Sequence, residues 1–103
     1  MAINYQTRTV TTTPNAITTN DEIIFSNVSA PSTLTLPALG TSSENTGRSF
    51  YIKDFSGNSK INPITITAPS GKTIDGATFA IINTQYGRLL ITYDGTNWKS
   101  IAG

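Results

Sequence analysis

The chain has no cysteine and no histidine. The first absence excludes disulfide staples and thiolate zinc sites, and the second excludes imidazole acid–base chemistry. Together they exclude any nucleophile that relies on His for activation. Charge is scarce: Asp, Glu, Lys and Arg make up 13% of the residues, against about 25% in an average soluble protein. Seven Lys+Arg oppose six Asp+Glu for a net charge of +1, so neither a nucleic-acid footprint nor an acidic tail is present. Long apolar runs are missing too. The longest, residues 79–82, falls far short of the roughly 20 residues of a membrane span. Residues 1–10 lack the apolar stretch of a secretory leader. No membrane segment, nucleic-acid partner or signal peptide is expected.

Small polar residues take the place of the charges. There are 18 Thr, 10 Ser and 9 Asn, and Ile outnumbers Leu by 13 to five. β-branched residues lose rotamer freedom in helices and suit pleated surfaces. With 37% hydrophobic and 9% aromatic residues, the chain can build a core and is not disordered. A length of 103 residues fits one domain, which buries roughly 65% of the surface exposed by the unfolded chain.

Period-2 alternation and turn residues divide the chain into about nine short strands. Residues 4–13 alternate weakly before Pro14. Residues 22–28, 32–36, 48–54, 63–67, 79–83, 88–93 and 97–101 read as strands, with a short piece at 73–75. Residues 38–47 form the clearest loop, and Asp94-Gly95 marks a hairpin. No segment carries a helical period. The expected fold is all-β: a compact antiparallel β-sandwich or jelly-roll-like domain over residues 15–103, with a three-sided β-prism as the alternative. Residues 1–14 are expected to form an extended N-terminal arm reaching a neighbouring chain, or an edge strand of the same subunit.

Three strands are apolar on both faces. Ile23 and Phe25 oppose Ile24, Phe79 and Ile81 oppose Ile82, and Leu89 and Ile91 oppose Leu90. A small sandwich has one inner face per sheet, so the second apolar face implies a subunit contact. Ile24, Ile82 and Leu90 are the candidate contact residues. Arg48 and Arg88 each follow a glycine and open a strand; they are expected to satisfy carbonyls or carboxylates at such a contact. Trp98 and Tyr93 flank the last hairpin. They either cover one end of the core or form a glycan-stacking platform. Asp54, Asp75 and Asp94 lie near glycines without calcium-loop spacing and read as turn residues. Asn27-Val28-Ser29 matches a glycosylation acceptor, but nothing points to a secretory host. Six acidic residues offer few pairs for glycoside chemistry, and Asp21 and Glu22 are strand neighbours that point to opposite faces. No catalytic, cofactor-binding or metal-binding residue is identified, and no enzyme activity is expected.

The order of features carries a resemblance. Leu36-Pro37, Gly47-Arg48, Ile52-Lys53-Asp54, residues 62–67, Ile74-Asp75-Gly76 and residues 94–98 follow one another as in a recurrent module of tailed-phage and large-virus structural proteins. The chain resembles that module over roughly residues 20–101. The resemblance implies a virion location, a homotrimer, and a major capsid protein or another virion protein as partner. The expected function is a capsid decoration or cement protein; the alternative is a tail-fibre or receptor-binding tip contacting host glycans. A cellular lectin-like module is a third, weaker reading.

Overall fold

Where Leu34 and Leu36 alternate with Thr33 and Thr35, and Ile64 and Ile66 with Thr65 and Thr67, the strands form as the pattern requires, with the aliphatic residues inside. The computed structural model describes residues 5–41 and 43–103. Among these are nine strands: β1 (Thr7–Val10), β2 (Asn15–Ala16), β3 (Ile23–Ser26), β4 (Ser32–Thr35), β5 (Ser49–Asp54), β6 (Ile64–Thr67), β7 (Phe79–Ile82), β8 (Arg88–Tyr93) and β9 (Trp98–Ala102). The one helical element among the described residues is a 3-10 turn at Ser43–Asn45.

The strands form two sheets, ordered β1-β3-β5-β8-β9 and β2-β4-β6-β7. From β1 to β6 the chain alternates between the two sheets at every strand, so each strand returns beside its predecessor in the same direction. The pairs β1-β3, β3-β5, β2-β4 and β4-β6 are therefore parallel. Parallel neighbours need a crossover, and here the strand in the opposite sheet supplies it without a helix. β7 then turns back on β6, while β8 and β9 add antiparallel strands to the larger sheet. The all-β sandwich is as expected, but its sheets are mixed rather than antiparallel, and there are two of them rather than the three sides of a prism.

The inner faces meet in one apolar core. Ile24, Ile52 and Leu89 lie side by side in register across β3, β5 and β8, and Phe50 faces Ile91. Leu34, Leu36, Ile64, Ile66 and Ile82 come from the smaller sheet. Trp98 closes one end, with its ring 5.7 Å from Phe50 and 5.1 Å from Tyr93. Residues 1–4 of the expected arm lie outside the described residues; Thr7–Val10 forms an edge strand on β3 of its own chain. β1 ends at Val10, ahead of Pro14, and beyond the proline Asn15–Ala16 pairs with β4, a two-residue strand too short to leave a periodic signal.

Candidate interaction surfaces

Two arginines hold the loop between β2 and β3. Arg8 points inward beside Ile24 and bonds Asp21 at 3.0 Å and the Ala16 carbonyl at 2.7 Å. Arg48 donates to the carbonyls of Thr19 and Asp21, each at 2.6 Å, and lies 4.7 Å from the centre of the Phe50 ring. Arg48 thus satisfies carbonyls of its own subunit rather than of a neighbour. A guanidinium suits this position because one of its terminal nitrogens carries two N–H groups and reaches both acceptors.

The three aspartates beside glycines act as local hydrogen-bond acceptors. Asp94 receives the N–H groups of Thr96 and Asn97 at 2.9 and 2.8 Å, and Gly95 takes φ 103° to close the hairpin. Those N–H groups of Asn97 and Thr96 hold its carboxyl below the ordinary aspartate range. Asp75 accepts from Ser100. Asp54 is buried at the end of β5 and ties two loops together: it receives Gly57 N–H at 3.1 Å, and Ser59 and Tyr86 N–H at 3.0 Å each. Burial pushes its carboxyl up, but the bonds from Ser59, Tyr86 and Gly57 outweigh that and hold it below the ordinary range. Tyr86 covers Gly57 so closely that a Cβ there would sit 2.6 Å from its ring. No group of acidic residues with metal-holding geometry occurs among the described residues.

The remaining candidates separate by face. Ile24 (0% exposed) and Ile82 (4%) belong to the core of their own subunit, so they are not contact residues. Their neighbours Ile23, Phe25, Phe79 and Ile81 hold the outward positions instead. Alternation names two faces of a strand; which one is inside depends on the strands beside it, as Ile52 fixes Ile24. Leu90 does face outward. Arg88 is exposed, next to Lys53 across the β5-β8 pair. Trp98 and Tyr93 are 0% and 1% exposed, which removes them as a glycan platform.

The outer face of the larger sheet carries a row of Thr7, Ile23, Tyr51, Leu90 and Ala102, and a second row of Thr9, Phe25, Lys53 and Arg88. Phe55 packs edge-on against Phe25 at 5.8 Å. Over the first row lies an open groove of about 660 Å³, with Tyr5, Glu22 and Glu44 on its rim. This face is polarised. Glu22 and Glu44, with Arg48 beside them turned to the carbonyls of Thr19 and Asp21, mark the end where β3 and β5 begin, while Lys53 and Arg88 mark the opposite end. The smaller sheet differs: Thr33 lies beside Thr65, and Thr35 beside Thr67. Phe79 and Ile81 complete these rows at its edge, 48% and 47% exposed.

Residues 2–100 match the family described as "Bacteriophage T4 gp9/10-like protein, N-terminal". The chain belongs to the bacteriophage T4 gp9/10-like family. It is a phage structural protein and a virion component. No curated protein matches it. This gp9/10-like domain holds Phe50, Tyr93 and Trp98 in the core and presents threonine, aliphatic and the other aromatic side chains outside, with a few separated charges.

Proposed function

We propose that this gp9/10-like protein is a non-catalytic component of the phage tail, a rigid block that joins copies of itself and a neighbouring virion protein. The observation that carries the reading is the family match across nearly the whole chain. The winding between sheets supports it physically, because the inner strands β3, β4 and β5 are each held on both sides by strands that are not their neighbours in sequence, which stiffens a small domain. The receptor-tip variant loses its aromatic platform with the burial of Trp98 and Tyr93. A capsid cement protein is the second reading, favoured by the small compact domain and its two contact faces. Proteomic quantification of separated heads and tails decides between them: low copy number in the tail fraction supports the proposal, and high copy number in the head fraction overturns it.

The outer face of the larger sheet is the proposed self-contact. Its acidic end complements its basic end, so copies arranged head to tail bring Glu22 and Glu44 toward Lys53 and Arg88. Head-to-tail contacts form a ring when the rotation between copies closes; the number three rests on the resemblance to trimeric phage modules. Leu90→Glu places a charge in the apolar row and is expected to weaken association at least about tenfold, measured by sedimentation equilibrium. Thermal unfolding of the monomer should change little, because Leu90 is only half-buried.

A further inference from the structure

We propose that the edge strand β7 pairs with β7 of a second copy across a two-fold axis at Ala80, joining two four-stranded sheets into one. The hydrogen-bond register supports this. Ala68 N–H donates to the Thr78 carbonyl at 2.9 Å, and Ala68 and Thr78 sit opposite each other in the β6-β7 register. Bonded pairs alternate in an antiparallel ladder, so Ile66–Ala80 and Ile64–Ile82 are the next bonded pairs. Phe79 and Ile81 therefore turn their N–H and C=O groups away from β6, and among the described residues β7 has no strand on that side.

This pattern is complementary to itself. Antiparallel pairing about Ala80 sets Phe79 opposite Ile81 of the second copy, and Ile81 opposite its Phe79. All four outward N–H groups of the two strands then meet C=O groups. The same pairing brings the two exposed apolar side chains of each copy together on the outer face. Charge favours the same occupant. Residues 76–87 contain no Asp, Glu, Lys or Arg, so two copies meet without repulsion. They also contain no proline, and the β6-β7 register runs without a bulge. Edge strands are ordinarily protected by one of these devices; Lys99 and a bulge mark β9, and Arg8 lies on β1. Two short strands meeting edge to edge bury far less than the roughly 1,200 Å² of a stable interface. The contact is therefore weak in dilute solution and is populated where copies are held close together, as in an assembled particle.

Because the chain has no cysteine, Ala80→Cys tests the axis directly. Residues facing each other in a non-bonded antiparallel pair have Cα atoms about 4.5 Å apart, within disulfide range. Mild oxidation at high protein concentration is expected to give a dimer of twice the chain mass. Adding Ile81→Pro should abolish it, since proline removes an outward N–H without touching the β6-β7 bonds. Should Ala80→Cys fail to fold, hydrogen exchange on the unaltered chain carries the test: the Phe79 and Ile81 amides are expected to gain protection as concentration rises. Failure to cross-link in a folded Ala80→Cys chain, or protection independent of concentration, overturns the proposal. So does protection that appears only when another virion protein is added. A trimer that Ile81→Pro leaves intact, together with an Ala80→Cys chain that does not cross-link, overturns β7 pairing while sparing the contact through the larger sheet.

Discussion

Replacing Trp98 with Ala is expected to destabilise the domain by about 4 kcal/mol, a large share of the roughly 5–15 kcal/mol that holds a small protein folded. The ring is fully covered and packs on Phe50 and Tyr93 between the two sheets. Its backbone is tied in as well: Trp98 N–H donates to the Thr73 carbonyl at 2.9 Å, and its carbonyl receives Asp75 N–H at 3.0 Å. Truncation leaves a cavity at a place where β9 and the 73–75 segment hold each other and cannot collapse far. Trp98→Phe is expected to cost only about 1–2 kcal/mol. It keeps a ring in the core, and the indole N–H it removes has no partner among the described residues. Denaturant unfolding of both variants checks this. A loss below about 1 kcal/mol for Trp98→Ala would show that the ring does not close the core.

Asp54→Ala is expected to cost about 3 kcal/mol, because it leaves three N–H donors without their charged acceptor. Two of them are buried or half-buried, at Ser59 and Gly57, and the third, at Tyr86, belongs to the other loop. Both loops should loosen together, seen as faster amide exchange at all three positions. The pH dependence has a definite sign. The folded state holds this carboxyl below its ordinary pKa, so the fold favours the ionised form. The resulting stability is present in full above the unfolded value of about 4 and is lost as pH falls through the lower folded value. Asp54→Asn keeps the shape and one acceptor but removes the titration, so its stability should fall less steeply with acid than that of the parent chain. An unchanged acid limb would refute the role assigned to Asp54.

Much of this architecture is visible in the order of residues. Alternating Thr and Ile at 64–67, or Leu and Thr at 33–36, commits each side chain to a face because the pleat repeats every two residues. Asp94-Gly95 commits the chain to a hairpin because only a few residues accept its backbone angles. The turns at Asp54 and Asp94 and the absence of helical periodicity follow from local chemistry alone. Strand direction does not. A period-2 pattern is identical for parallel and antiparallel neighbours, so nothing local announces that β1 to β6 wind between two sheets. Nor does local sequence say which face of Ile23–Ser26 or Phe79–Ile82 is inside. Ile24 is core because Ile52 stands beside it, 28 residues away, and Ile82 because Ile64 does. The same long-range pairing turns Trp98 and Tyr93 inward and leaves Leu90 outside. The sequence by itself determined what each segment is and which residues share a face. Only the tertiary structure decided which face meets the core and which is left exposed, because that choice depends on contacts the chain makes with itself far away.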